Sequence, residues 1–294
     1  MLTGSCLCGD IAFEIDGPVD ALGHCHCSMC RKFHGSPFVT FVAAAPQDFR
    51  WVRGAEWVQA YASSPLGSRR FCGRCGSPVP ATADVLPFVP VPLGNVTEDP
   101  GVRPGLHMFT SSMAPWDTIV DDLPQHAELP QEFAEMAMES ERPARVPRTP
   151  GAIGGSCLCG AVAFEFDGPP LRMYHCHCSR CRRTAGAAYQ TLLRARRNGF
   201  RWLKGADNVT NYRVPGTRFE CAFCRTCGGR TPWERHDQVC IPAGCLDNDP
   251  GVQPTDNIFI DSRAAWTVLD ERLKNWPEAG GWNPPKQAPG SATA

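Results

Sequence analysis

One set of cysteine motifs occurs twice in this chain of 294 residues, in the same order and at nearly the same spacing. Three motifs define the repeat, and each is found at two places: GSCLCG at 4–9 and 155–160, HCHCS at 24–28 and 175–179, and FCxxCG at 71–76 and 223–228. Ordered matches over so long a stretch indicate a duplicated unit. The chain length agrees, because a single domain usually has about 100–150 residues.

The repeat divides the chain into two predicted domains, at residues 1–127 and 154–278. A linker is predicted at 128–153, where proline, glutamate and arginine dominate and Gln131–Ser140 could form a short helix. Residues 279–294 are rich in Pro, Gly, Ser and Ala, which predicts a flexible tail.

Short alternating segments predict a mainly β fold inside each copy. Asp10–Ile15 alternates polar and apolar residues before a turn, and Phe38–Val42 and Arg50–Val52 are similar. Glycine and proline interrupt the chain often, so the only helix expected within the first copy is a short turn after Cys27.

The cysteine content favours bound metal over disulfides. Seventeen cysteines cannot all pair, and nothing before Cys6 resembles an export signal, so we expect a cytoplasmic chain with reduced thiols. The 29 basic and 30 acidic residues leave a net charge of −1, which predicts no nucleic-acid partner. No apolar segment reaches the ~18–20 residues that span a bilayer, so no membrane association is expected.

A closed zinc site with four thiolates is expected in each copy. The CxxC pair Cys72 and Cys75 can direct two sulfurs to one ion, and Cys6 and Cys8 can complete the site if the fold brings them across. The second copy offers the equivalent set: Cys157, Cys159, Cys224 and Cys227. Buried or free thiols without metal are the alternative interpretation.

Three cysteines of the second copy lie outside the repeated motifs. Cys221 precedes Cys224 by three residues and forms a competing CxxC pair, but the alignment of the repeat favours Cys224 and Cys227 as ligands. We therefore expect Cys221 to bind no metal. Cys240 and Cys245 have no counterpart in the first copy and are predicted to be small core residues.

A second cluster in each copy has the spacing CxCxxC. It comprises Cys25, Cys27 and Cys30, repeated as Cys176, Cys178 and Cys181. Three protein ligands leave one position for water or a substrate thiolate, which is the arrangement of a catalytic zinc. Thiols without metal that act as a redox switch are a further alternative.

The sequence allows more than one role for the residues next to this cluster. His24 and His26, with His175 and His177, could close the site as a fourth ligand, but alternation along an extended strand would turn His26 away. The basic pairs after the third cysteine, at 31–32 and 182–183, could bind substrate carboxylates or simply lie on a solvated turn.

With these motifs assembled, the chain resembles the glutathione-dependent formaldehyde-activating enzyme family, which also includes centromere protein V. Beyond the cysteine motifs the resemblance extends through Gly94, Asp99-Pro100, His107-x-Phe109 and Ala114-Pro115-Trp116. It implies a mainly β fold related to the zinc-binding Mss4-like β-tent, with a structural and a catalytic-type zinc, hence two Zn²⁺ per domain.

The resemblance also implies a function, carbon–sulfur lyase chemistry that joins or separates formaldehyde and glutathione as S-hydroxymethylglutathione. The residues expected to carry it are those of the CxCxxC clusters. The second copy departs from the family pattern, with Arg183 for Lys32, Asn257 for His107, Ala265 for Pro115 and Gly229 for Ser77. These departures bear on its catalysis more than on its zinc.

A zinc module that binds a protein or a thiol without catalysis is the competing function, since glutathione adds to formaldehyde spontaneously. Association with chromatin or microtubules, as for centromere protein V, would require a basic tail that the near-zero net charge does not support. The sequence predicts neither the true substrate nor the oligomeric state.

Overall fold

The computed structural model describes residues 1–64, 67–81, 86–131 and 146–279. Within these residues the fold is mainly β, as predicted, with two short helices, α1 (Ser28–His34) and α2 (Ser179–Ala185). The strands of the first copy are β1 (Leu2–Ser5), β2 (Ala12–Ile15), β3 (Val19–Cys25), β4 (Val39–Ala44), β5 (Phe49–Arg53), β6 (Val58–Ser64), β7 (Gly67–Cys72), β8 (Pro78–Val79), β9 (Val89–Pro92) and β10 (His107–Met108).

The second copy repeats these elements and has two strands with no counterpart among the described residues of the first copy. Its strands are β11 (Ile153–Ser156), β12 (Ala163–Phe166), β13 (Arg172–Cys176), β14 (Gln190–Arg196), β15 (Phe200–Lys204), β16 (Val209–Arg213), β17 (Glu220–Cys224), β18 (Arg230–Thr231), β19 (Trp233–Arg235), β20 (Gln238–Pro242), β21 (Asp256–Ile258) and β22 (Lys274–Trp276).

Each copy arranges its strands in three sheets. In the first copy the strand orders are β1-β2-β5, β10-β3-β4-β9 and β6-β7-β8. In the second they are β11-β12-β15, β19-β20-β14-β13-β21-β22 and β16-β17-β18, so β19 and β22 extend the middle sheet. Neighbouring strands are antiparallel except where β10 joins β3 and where β21 joins β13 and β22.

The alternation of polar and apolar residues in the sequence identifies side chains of the core. Along β2 every second residue is buried, so that Phe13 and Ile15 are 1% and 0% exposed. Gly4 lies opposite Phe13 in the register of β1 and β2. A Cβ on Gly4 would fall 2.1 Å from the Phe13 ring, which explains why the first cysteine motif opens with glycine.

The helix predicted after Cys27 is present in both copies, and a cysteine caps it. The Cys27 sulfur accepts a hydrogen bond from the backbone N–H of Cys30 at 3.4 Å, and Cys178 does the same for Cys181. Gly35 ends α1 in the left-handed conformation with φ of 69°. The helix therefore holds the last two cysteines of each CxCxxC motif in a fixed relation.

The two copies form one packed body, because each inserts a tryptophan into the core of the other. Trp266 packs in the cluster that holds Phe13 of the first copy, and Trp116 packs with Phe164 of the second. Where the copies meet, Phe71 and Phe223 lie edge to face with ring centroids 6.1 Å apart. Truncating such a buried tryptophan to alanine costs about 3–5 kcal/mol, so the exchange ties the copies together.

Lys32 lies in this interface and not at a substrate site. Its Nζ donates to the backbone oxygen and Oγ of Ser156, at 2.9 and 2.8 Å, and forms an ion pair with Asp247. Arg183, the matching residue of α2, contacts Thr97 of the first copy at 3.4 Å. Lys32 is therefore held by the interface. The suggestion that the basic residues after the third cysteine bind substrate carboxylates stays a prediction for Arg31, Arg182 and Arg183.

The linker is described only at its two ends. Strand β11 begins at Ile153, one residue inside the predicted linker, and Thr149 donates its backbone N–H to Glu165 at 2.9 Å, so this end packs on the second copy. The short helix predicted over Gln131–Ser140 lies, after its first residue, outside the described residues, as does the predicted tail after residue 279. Among the described residues, no helix has the length and apolar character needed to cross a membrane.

Candidate metal centres

Four sulfurs converge in each copy, from two motifs that are distant in sequence. The Sγ atoms of Cys6, Cys8, Cys72 and Cys75 all lie within 4.8 Å of one another, and so do those of Cys157, Cys159, Cys224 and Cys227. The Cys6–Cys8 and Cys8–Cys72 sulfurs are 3.3 and 3.7 Å apart. Tetrahedral zinc with bonds of ~2.3 Å would hold its sulfurs ~3.8 Å apart, so both sets fit a closed zinc site.

Backbone groups support these sulfurs. Gly76, with φ of 71°, turns the chain after Cys75 and donates its N–H to the Cys72 carbonyl at 2.8 Å. The N–H of Ile11 donates to the Cys6 sulfur at 3.3 Å, and Val162 does the same for the second copy. Hydrogen bonds to a thiolate stabilise its charge, so the fold prepares these cysteines to be ligands.

The three additional cysteines lie apart from the sulfur groups. The Cys221 sulfur is 3.8 Å from the backbone oxygen of Cys75 in the other copy, and the Cys245 sulfur is 2.9 Å from the Pro242 oxygen. All three are buried, and burial raises the pKa of Cys221 to about 11. This placement agrees with the prediction that Cys221 binds no metal.

The CxCxxC cysteines also converge in both copies. The sulfurs of Cys25, Cys27 and Cys30 lie within 4.8 Å of one another, as do those of Cys176, Cys178 and Cys181. Strand β3 ends at the first cysteine, the second caps α1, and the third lies in its first turn. Three thiols on so short a segment are a soft donor set that suits zinc.

The three sulfurs differ in their tendency to ionise. The neighbouring thiols of Cys25 and Cys30 hold the pKa of Cys27 well below its ordinary value, and Arg69 acts in the same direction. In the second copy the thiols of Cys176 and Cys181 lower the pKa of Cys178 to about 3. The middle cysteine of each cluster is thus the one most readily present as a thiolate, the form that binds metal.

The flanking histidines do not join the three-sulfur clusters. The His26 Nε2 lies 2.8 Å from the His107 Nδ1, and the Nε2 of His107 lies 2.9 Å from an Asp121 oxygen. His24 pairs with the Thr40 hydroxyl at 2.8 Å. Burial lowers the pKa of both His24 and His26 to about 3, so they are neutral. The second copy is similar, with His175 and His177 paired to Thr191 and Asn257.

A cavity of about 290 Å³ lies against the three-sulfur cluster of the first copy. All three cysteines line it, together with a wall of apolar side chains: Leu22, Phe41, Leu86, Phe88, Met108 and Phe109. Sites for small molecules are mainly apolar clefts of ~300–1,000 Å³, so this cavity has the size and character of a small ligand site.

Arg69 is a residue of this site that the sequence reasoning missed. Its Nη2 lies 3.6 Å from the Cys30 sulfur, and its guanidinium lies over the Phe33 ring at 5.6 Å. Burial opposes the charge, but the neighbouring Cys30, Cys27 and Cys25 side chains raise the pKa of Arg69. Arg69 lies two positions before the buried Phe71 on β7, so both side chains face the same side of the sheet. That spacing was the feature of the sequence that could have identified Arg69 as a residue of this site.

Bulky side chains pack beside the three-sulfur cluster of the second copy. Trp233 and Tyr174 pack in one buried cluster with Cys176 and Cys181. The Tyr174 hydroxyl accepts a hydrogen bond of 2.8 Å from Arg194, whose guanidinium also contacts Cys240. Strand register aligns these residues with small ones in the first copy, Tyr174 with Gly23, Arg194 with Ala43 and Trp233 with Ala81. The two three-sulfur clusters therefore differ in their surroundings.

Comparisons with known proteins match both copies. The sequence profile of the family described as glutathione-dependent formaldehyde-activating enzyme matches residues 1–112 and again residues 152–262. A Halomonas elongata protein named as a candidate glutathione-dependent formaldehyde-activating enzyme is 36% identical over 84 residues, which cover 26% of this chain and 53% of that protein. An uncharacterised lyase of Schizosaccharomyces pombe is 36% identical over 74 residues, 25% of this chain and 52% of that protein.

The chain thus spans about half the length of the curated relatives it matches. Among solved structures, a Rhodobacter sphaeroides protein is 25% identical with a TM-score of 0.29, and the match covers 42% of this chain and 98% of that one.

Proposed function

Since the chain belongs to the glutathione-dependent formaldehyde-activating enzyme family, with two of its domains in tandem, we propose that it is a zinc-dependent carbon–sulfur lyase. Its substrate class is a thiol adduct of an aldehyde, of which S-hydroxymethylglutathione is the example implied by the family name. The proposal assigns the chemistry to Cys25, Cys27 and Cys30, and structural zinc to the four-sulfur groups. The reduced thiols that it needs agree with a cytoplasmic location.

One observation carries the proposal: the three sulfurs of the first copy line a cavity that can admit a ligand. With three protein sulfurs as ligands, a tetrahedral zinc would have one coordination position open for water or a substrate thiolate. A zinc ion held there would lower the pKa of a thiol and favour its thiolate form.

The residues around the sulfurs support the same role. Three thiolates and one divalent cation carry a net single negative charge, which Arg69 offsets from 3.6 Å away. A further thiolate can then approach with less repulsion than the sulfurs alone would exert. The apolar wall, with Phe41 and Phe109, excludes water from the adduct and so limits competing hydration of the aldehyde.

The proposed reaction balances without an added oxidant or reductant. In the lyase direction the carbon–sulfur bond of the adduct breaks and its electron pair stays on sulfur. The hydroxyl proton leaves oxygen as the carbonyl forms, and solvent at the cavity mouth carries it to the departing thiolate. The products are the free thiol and the aldehyde, and the reverse sequence describes addition.

We propose a different role for the second three-sulfur cluster. The side chains of Trp233 and Tyr174 pack against its cysteines, where the first copy has Ala81 and Gly23. A metal held by Cys176, Cys178 and Cys181 would then contribute stability and little turnover. The departures already present in this copy, such as Asn257 for His107, agree with that division.

Turnover of defined adducts tests the proposal. The zinc-loaded chain is mixed with S-hydroxymethylglutathione and with hydroxymethyl adducts of smaller thiols, and formaldehyde release is compared with the rate without protein. A rate above that background, lost in Cys27→Ser, supports the lyase. Background rates with every adduct would instead favour a thiol-binding module without catalysis.

A further inference from the structure

The cavity beside the first three-sulfur cluster has a composition that narrows the class of thiol it can bind. Its wall is built from aliphatic and aromatic side chains on several elements, among them Leu22, Phe41, Phe88 and Met108. Burying apolar surface of a ligand against such a wall is favourable by about 25 cal/mol per Å². The site therefore favours binding of a ligand with an apolar body.

The described lining residues carry charges of a single sign. Among the lining residues in the described part of the chain, Arg69 and Arg70 are cationic and none is an aspartate or glutamate. His34 adds no charge, since burial lowers its pKa to about 3. Within the described residues, then, the wall offers no carboxylate to a ligand ammonium group.

Glutathione suits this wall poorly. It carries an ammonium group and two carboxylates along a polar peptide body, and burying the ammonium group without a carboxylate partner is costly. Arg69 is already engaged with the Cys30 sulfur, and it lies over the Phe33 ring. An ammonium group near these arginines would also be repelled by like charge.

We propose that the first three-sulfur site binds thiols with an aryl or branched-alkyl body and no ammonium group, in preference to glutathione. The proposal deepens the proposed function and rests on it, because it takes the ligand sulfur to occupy the open position at Cys25, Cys27 and Cys30. The substrate class is then the aldehyde adduct of an apolar thiol.

Binding to the zinc-loaded full chain tests the preference independently of turnover. Isothermal titration calorimetry compares glutathione with three thiols that share one two-carbon stem: 2-phenylethanethiol, 3-mercaptopropionate and cysteamine. The expected order of affinity is 2-phenylethanethiol first and cysteamine last, with glutathione at least about tenfold weaker than 2-phenylethanethiol, the scale of burying one aromatic group. Glutathione binding as tightly as 2-phenylethanethiol, or more tightly, would overturn the preference.

A substitution in the wall distinguishes the contribution of the cavity to thiol affinity from that of the three sulfurs. Ala81→Trp should weaken 2-phenylethanethiol by about tenfold while changing the affinity for 2-mercaptoethanol much less, since the small thiol needs only the sulfur position. Ala60→Trp, on the exposed side of β6, is the matched control and should change neither. Equal effects of Ala81→Trp on both thiols would contradict the proposed role of the wall.

Turnover of the same adducts keeps the two proposals distinguishable. Selective binding of 2-phenylethanethiol without turnover of its hydroxymethyl adduct would overturn the lyase and leave the ligand preference intact. Higher kcat/KM on S-hydroxymethylglutathione would overturn the preference and leave the lyase intact. Failure of every thiol to bind would overturn both.

Discussion

Trp233 occupies in the second copy the position that Ala81 occupies in the first. Trp233 pairs with Cys240 between β19 and β20, and Ala81 donates its backbone N–H to the oxygen of Pro90, the residue that corresponds to Cys240. Ala81 lines the cavity beside the first three-sulfur cluster, and Trp233 packs in the buried cluster that holds Cys176 and Cys181.

Ala81→Trp should close the first site. The indole would fill the cavity, and turnover should fall by about 10²-fold, the loss expected when a substrate is held ~1 Å out of place. Zinc per chain should be unchanged, because Ala81 contributes no ligand. Ala60→Trp serves as the control, and full activity of Ala81→Trp would show that substrate binds elsewhere.

Matched cysteine substitutions should separate the two copies. Cys27→Ser and Cys178→Ser each remove the middle sulfur of one cluster, and we expect each to lose one zinc per chain. Only Cys27→Ser should reduce turnover to the uncatalysed rate, since only that cluster lines the cavity. Equal loss of activity in both variants would contradict the division of roles.

The four-sulfur sites should contribute to stability. Cys75→Ser should remove one zinc and lower the free energy of unfolding by more than about 4 kcal/mol, the range reached when a native metal is lost. Urea denaturation with metal analysis measures both quantities. Cys221→Ala is the control: it is also buried, and it should cost about 1 kcal/mol and no zinc. Zinc loss in Cys221→Ala would instead make that residue a ligand.

Lys32 gives a test of the interface. Its ammonium group pairs with Asp247, whose side chain is 4% exposed and is also held by Arg148. Lys32→Met should lower the free energy of unfolding by about 2 kcal/mol, below the usual cost of breaking a buried pair because Arg148 remains. The KM for adducts that carry a carboxylate should not change. A raised KM at unchanged stability would restore Lys32 to the substrate site.

Local spacing was sufficient to predict each CxC and CxxC pair, because short turns bring the two sulfurs of a pair together. The joining of Cys6 and Cys8 with Cys72 and Cys75 depended on the fold, which brings together motifs about 64 positions apart. The duplication separated Cys224 from Cys221. The strands around Phe13 and the helix after Cys27 were predictable too, because burial alternates along one and a cysteine caps the other.

Contacts between distant segments were not predictable from one sequence. Lys32 and Asp247 are separated by 215 positions, and the basic character of Lys32 alone does not distinguish a partner in the interface from a substrate group. The repeat also conserves Trp116 and Trp266 without indicating that each enters the core of the other copy. Whether Arg69 faces a sulfur cluster depends on how three sheets meet, which spacing does not encode.

Thiol titration of the cobalt-substituted chain tests whether the first three-sulfur site alone binds a thiol, because cobalt(II) in a sulfur site has visible absorption bands that change when a ligand is added. We expect 2-phenylethanethiol to change these bands with a stoichiometry of one thiol per chain, and we expect Cys27→Ser to abolish the change while Cys178→Ser retains it. Bands that do not respond to the thiol, or a response that saturates at two thiols per chain, would contradict this expectation.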